Sequence, residues 1–230
     1  MLTKLDVDAS DERGTTLVEL MVGLAVGMVV LAALTMVIIA TLHGSARVSA
    51  RVEATQRARV VLARIIEELH SACVAPKVAP ILAESSGNSL SFTHAAPGES
   101  SAVAPSPIKS VISLEDGELS QADYLPAPGD TPSWTYSSTR QLITDVGPIS
   151  PSDSIFTYYR SLNGTVTEAP PATQLDEMAA ETIQVRVALT ASPAGTPVAD
   201  AGADASVQDS AALRLTPPSF SEQAVSLPCQ

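Results

Sequence analysis

A carboxylate at the head of an apolar run is the first group in this chain that could do chemistry. Glu19 is followed by Leu20 to Leu42, about 23 positions without a charged side chain, where roughly 20 suffice to cross a bilayer as a helix. A charge at mid-bilayer costs about 2.5–3.5 kcal/mol; near the helix end it costs less but still calls for a positive partner. The positive pole of a helix N-terminus is one such partner, and a free α-amino group is another. Cleavage after Gly14 would create that amine at Thr15, close to Glu19. A secretory signal places its cleavage site beyond the apolar stretch. Here the polar leader Met1 to Gly14, ending Asp11-Glu12-Arg13-Gly14, comes before it. No cysteine lies just beyond the run, which excludes a lipoprotein anchor.

The remaining reactive side chains form no recognisable constellation. His43, His70 and His94 are expected at a membrane boundary, on a helix and at a strand end, without an H-E-x-x-H or G-x-S-x-G pattern beside them. Glu67-Glu68 and Glu115-Asp116 fall on an expected helix surface and a turn, where charge is solvated. No catalytic residue, cofactor or metal site is expected. Asp200, Asp204 and Asp209 lack the alternating spacing of a calcium loop and read as a solvated acidic loop. Cys73 and Cys229 form no C-x-x-C pair, so zinc and thioredoxin-type chemistry are unsupported. In an exported domain they could form a disulfide worth about 4–5 kcal/mol on the chain-entropy model, and otherwise they are two unrelated thiols.

Composition sets the frame for these residues. The chain has 230 residues, 45% of them hydrophobic and only 3% aromatic, with a formal net charge of -12. That acidity argues against nucleic acid, which needs clustered Lys and Arg. The basic residues between Arg47 and Arg64 alternate with small and aliphatic ones, as on one solvated helix face.

The elements follow from periodicity. Val48, Val52, Ala58, Leu62, Ile65, Leu69 and Ala72 recur at helical spacing, and no proline interrupts Thr15 to Ala75. One helix of about 55 residues is expected, apolar and membrane-spanning over 15–44 and amphipathic over 45–75, with Gly44 as a place to bend and Pro76 and Pro80 as the stop. Gly23-x-x-x-Gly27 would let another helix approach closely. From 76 to 230 short strand-like runs predict a β-rich head. They are Ser89 to Thr93, Ser110 to Leu114, Glu118 to Ala122, Gln141 to Val146, Ile155 to Tyr159, Thr165 to Glu168, Thr182 to Thr190 and Ala211 to Leu215. Asp116-Gly117 and Asn163-Gly164 mark hairpins. Ala95 to Pro107, Pro126 to Ser133 and Ala191 to Ser206, rich in Ala, Pro and Ser, read as loops. The expected fold class is α+β, a long helix packed on an antiparallel sheet.

Gly14-Thr15-Thr16-Leu17-Val18-Glu19 and the apolar run after it resemble the cleavage and methylation motif of type IV prepilins and type II secretion pseudopilins. The resemblance covers some 30 residues, with threonine at Thr15 where the family usually has phenylalanine. It implies that a prepilin peptidase cuts after Gly14 and N-methylates Thr15, and that Glu19 meets a neighbouring subunit's amine during assembly. It also implies an inner-membrane precursor with its head on the extracytoplasmic side. Its partners would be other pilins and the assembly platform, and it would end in a pilus or pseudopilus. The order Leu90-Ser91-Phe92, Ile155-Phe156-Thr157-Tyr158-Tyr159 with Asn163-Gly164, Ile183 to Leu189 and Leu213-Arg214-Leu215 is similar to minor pseudopilins of the J type and PilW-like minor pilins. A signal-anchored extracytoplasmic binding module that never polymerises is the alternative.

Overall fold

The computed structural model describes residues 16–72, 79–95, 107–127, 133–162, 164–169, 179, 181–195 and 203–213. Helix α1 spans Leu17–His70 and passes through Gly44 without a break. The described residues up to Ala46 form one compact unit and those from Arg47 onward another.

In the second unit, α1 buries Ala54, Ala58, Val61, Leu62, Ile65, Ile66 and Leu69, one stripe at helical spacing. Arg59, Ala63 and Glu67 lie on its exposed side. The helix ends at His70 and not at Ala75. Ser71 turns its hydroxyl back onto the Glu68 carbonyl at 2.7 Å, and Ala72 already bridges to His94 in antiparallel fashion, so sheet pairing claims the chain before a proline is reached.

Two antiparallel sheets follow, where one was expected. The first is a meander of β1 (Ser89–Ala95), β2 (Pro107–Glu115), β3 (Glu118–Pro126) and β4 (Trp134–Thr144) in sequence order. Its β2–β3 turn has Asp116 at φ 48° and Gly117 at φ 79°, the paired positive values that a two-residue type I′ hairpin demands. The second sheet contains β5 (Val146–Gly147), β6 (Phe156–Leu162), β7 (Thr165–Glu168), β8 (Thr182–Ala191) and β9 (Ala205–Ala212). β8 is central. β9 runs along one side of it from Ala205 to Ala212, while β6 and then β5 share the other side.

The chain changes sheets at Asp145, φ 59°, between β4 and β5. A left-handed conformation is costly for most residues and tolerated by Asp, whose side chain can bond locally. Here Oδ2 accepts from the Thr144 hydroxyl at 3.0 Å and from the Gly195 backbone N–H at 3.0 Å. Arg57 ties the helix to this corner, donating to the Thr144 carbonyl at 3.2 Å and the Ser192 carbonyl at 3.3 Å.

Two sequence expectations need correction here. β4 begins at Trp134 and ends at Thr144, so Val146 belongs to the next strand and sheet. The last described strand is Ala205–Ala212, most of it upstream of the expected Ala211 to Leu215. Its small residues Ala205 and Ala211 pack into the core against β8. The core itself joins the helix stripe to Leu90, Phe92, Ile112 and Leu119 from the first sheet and to Phe156, Val185, Val187 and Leu189 from the second.

Candidate functional site at the start of the apolar helix

Thr16 is the N-cap of α1. Its Oγ1 accepts from the Glu19 backbone N–H at 3.3 Å, and its carbonyl accepts the first helical bond from Leu20 N–H at 3.1 Å. Thr16-Leu17-Val18-Glu19 is therefore a T-x-x-E start, in which a carboxylate at the third helical position complements the unpaired amides and the positive end of the helix dipole. This cap went unrecognised in the sequence, although its signal is only four residues long. Glu19 is exposed in the first turn, and no described cation pairs with it.

Beyond Glu19 every side chain to Leu42 is exposed, including Leu20, Leu24, Val29, Leu31, Met36 and Ile38. Within α1 lies a window of mean hydropathy 2.7, none of it buried, long and apolar enough to cross a membrane; a signal sequence has the same property. A side chain built onto Gly23 or Gly27 would meet nothing within 4 Å, so this face of the helix is open to close approach.

Gly14 and Thr15 lie outside the described residues, as do Cys73, Cys229, Asp200, Asn163, Arg214 and Leu215. Asp204 and Asp209 are described but stand apart. Asp204 accepts from Ser192 at 2.8 Å, Asp209 from the Ser210 N–H at 2.8 Å, and the four residues between them set them about 16 Å apart along the strand. Among the described residues, no three His, Cys, Asp or Glu side chains come together as a metal would require.

His43 and His70 are exposed on α1, and His94 ends in a polar network that sequence spacing did not reveal. Ser110 Oγ donates to Asp123 Oδ1 at 2.6 Å and lies 2.9 Å from His94 Nε2. The hydroxyl thus gives its proton to the carboxylate and not to the imidazole, unlike the nucleophile of a nucleophile–base–orienter relay. Ser110 is also fully buried, so no substrate reaches its oxygen. Three strands supply these groups, and nothing local in the sequence links them.

The described residues define a chain with one long N-terminal helix, apolar along its first part, followed by an antiparallel β region in two sheets. Compared with protein-family models, with curated proteins and with solved structures, the chain matches none.

Proposed function

We propose that this chain is a prepilin-like subunit, a minor pilin or pseudopilin of the J-type or PilW-like kind. A prepilin peptidase cuts it after Gly14 and methylates Thr15, and its helix then joins the core of a type IV pilus or type II secretion-like pseudopilus. The observation that supports this reading is the run Gly14 to Glu19 leading into one helix that starts at Leu17, exposed and apolar in its first part and buried among β-strands in its second. An apolar surface of that length is expensive in water and has two natural covers, lipid before assembly and neighbouring helices after it. Glu19, without a described cation, suits a partner amine delivered by another copy.

In this reading the precursor is a single-pass inner-membrane protein with an extracytoplasmic head. Its partners are the peptidase, the assembly platform and other pilins, and its role is structural. The chemistry at Gly14 is done to it by another protein.

A second reading has an observation of its own. Thr16 caps a helix whose first turn contains Glu19, and a carboxylate there favours the positive end of the helix without any neighbour, as in a signal-anchored binding module that stays monomeric. Mass spectrometry of the mature N-terminus separates the two. N-methyl-Thr15 is expected for the filament subunit, and a chain still beginning at Met1 would overturn that assignment.

A further inference from the structure

The outward face of the second sheet carries a cleft of about 490 Å³, within the size range of small-molecule sites. Its floor is Ala188 of β8, a small side chain opposite Gln208 of β9, and the segment from Ser152 to Ser154 stands at its rim. Arg186, two residues before Ala188, lines one wall and pairs across the sheet with Thr157.

Arg186 is the unusual member. Arg64 and Arg140 meet Glu68, Arg160 meets Glu181 and Lys109 meets Glu84, but no described carboxylate lies in ion-pair range of Arg186. Its guanidinium sits over the Tyr159 ring at 5.9 Å and, among the described residues, donates to the Thr157 hydroxyl alone, at 3.4 Å. Its Nε, like those of Arg140 and Arg160, is buried without a hydrogen-bond partner among the described residues, which is costly, and of these three arginines Arg186 alone also lacks a described carboxylate. A planar guanidinium with free donors suits a carboxylate.

Asp153 and Glu168 line the same cleft and would repel a simple anion. β6 separates β7 from β8, and Glu168 lies across from Gln184, two residues along β8 from Arg186, so the two backbones stand about 12 Å apart. That span holds a carboxylate hydrogen bond, a few ligand bonds and an ammonium hydrogen bond. From this arrangement we infer that the cleft binds a small zwitterion, an amino acid or a dipeptide, with its carboxylate on Arg186 and Thr157 and its ammonium on Glu168 or Asp153. The site is independent of the filament reading.

Isothermal titration of the full chain in detergent micelles tests this, with L-alanine, L-alanyl-L-alanine, acetate and methylammonium as probes. One of the two zwitterions binds saturably and at least about tenfold tighter than acetate, about 1.4 kcal/mol; which one it is separates a free amino acid from a peptide. Arg186→Gln removes binding. At least one of Glu168→Gln and Asp153→Asn brings the zwitterion close to the acetate level, and neither weakens acetate, since each removes a repelling charge, while Arg160→Gln, outside the cleft, changes neither affinity. Should Arg186→Gln fail to fold by circular dichroism, Thr157→Val and the two carboxylate variants carry the test, and full zwitterion affinity in both carboxylate variants overturns the proposal. No saturable heat from either zwitterion at millimolar concentration, equal affinity for acetate, or full affinity in folded Arg186→Gln each overturns the proposal.

Discussion

Gln121 of β3, almost fully buried, donates from Nε2 to Oε2 of Glu68 on α1 at 2.8 Å, so a side-chain amide of the sheet holds a carboxylate of the helix. Glu68 Oε1 also accepts from Arg140 at 2.7 Å and from Arg64 at 3.0 Å, and Gln121 returns its own oxygen to Arg140 at 2.7 Å. The same amide nitrogen reaches Ser110 and Asp123. A polar network therefore seals one side of the helix–sheet contact, next to the apolar stripe.

Removing its centre has a graded consequence. Glu68→Ala leaves Arg140 and Gln121 each short of an acceptor in a half-buried site and is expected to cost about 1–3 kcal/mol. Glu68→Gln offers one oxygen and one NH2, so it satisfies only one of the two sides and falls between alanine and wild type. The chain has a single tryptophan, Trp134 at the start of β4, and its fluorescence during denaturation gives the order of the three midpoints.

Gly87 and Ser154 meet where the turn before β1 touches the entry to β6, beside the Phe156 N–H bond to the Gly87 carbonyl at 2.9 Å. A Cβ on Gly87 would lie 2.3 Å from Ser154 Oγ and 2.8 Å from its Cβ. Rotating the hydroxyl relieves the first clash but not the second. Gly87→Ala should therefore lose about 1–3 kcal/mol, as overpacking does. Gly87→Ala with Ser154→Gly should recover most of it, and a denaturation cycle over the four proteins measures the coupling. Additive costs would mean that the two residues do not collide.

The ion pair of Glu84 and Lys109 sets a pH response. Partial burial works to raise the Glu84 carboxyl; the Lys109 ammonium, with hydrogen bonds from Lys109 and Ser91, outweighs it and holds the carboxyl below its ordinary value of 4.5. A carboxyl depressed in the folded state contributes stability above its unfolded value and loses it as pH falls through the folded one. The contribution is thus present at neutral pH and fades below about 4.5. Glu84 is nearly half exposed, so screening keeps the effect small. Comparing denaturation midpoints of wild type and Lys109→Met from pH 6 to pH 3 isolates it. The gap between the two proteins should narrow toward the acid end, and a gap that stays constant would assign Lys109 a role in packing alone.

Legibility in the sequence tracked the range of the interactions. Asp116-Gly117 specifies its hairpin through two backbone angles, so two residues suffice to read it. The helix stripe is legible because it repeats over several turns. The first half of β4 is different: Thr135, Tyr136, Ser137, Ser138 and Thr139 are all exposed, so no apolar alternation marks them, and the strand exists because β3 supplies its partners. β9 hides in the same way, its inward residues being chiefly alanines that also suit a loop. The split into two sheets turns on one residue, Asp145, in a conformation its neighbours do not announce. The cleft at Arg186 and the network at Glu68 draw on strands and helix positions far apart in the chain, which no spacing rule connects.

One substitution separates the place of Glu19 in the helix start from the assembly role proposed for it. The helix start needs only the Glu19 backbone N–H, which any side chain but proline leaves in place, and glutamine suits a T-x-x-E position nearly as well as glutamate. As an assembly group Glu19 needs a negative charge to meet an amine, which glutamine lacks. Glu19→Gln should therefore keep the helix intact while reducing incorporation into filaments to near the level of Glu19→Ala. Thr16→Ala removes the Oγ1 acceptor and costs about 1 kcal/mol at the helix start, with incorporation largely preserved because the charge remains. Quantifying the subunit in sheared filaments against its membrane pool gives the readout. Full incorporation of Glu19→Gln would reduce Glu19 to a residue of the helix start and favour the anchored module, since the one carboxylate at the edge of the apolar run would then need no neighbour.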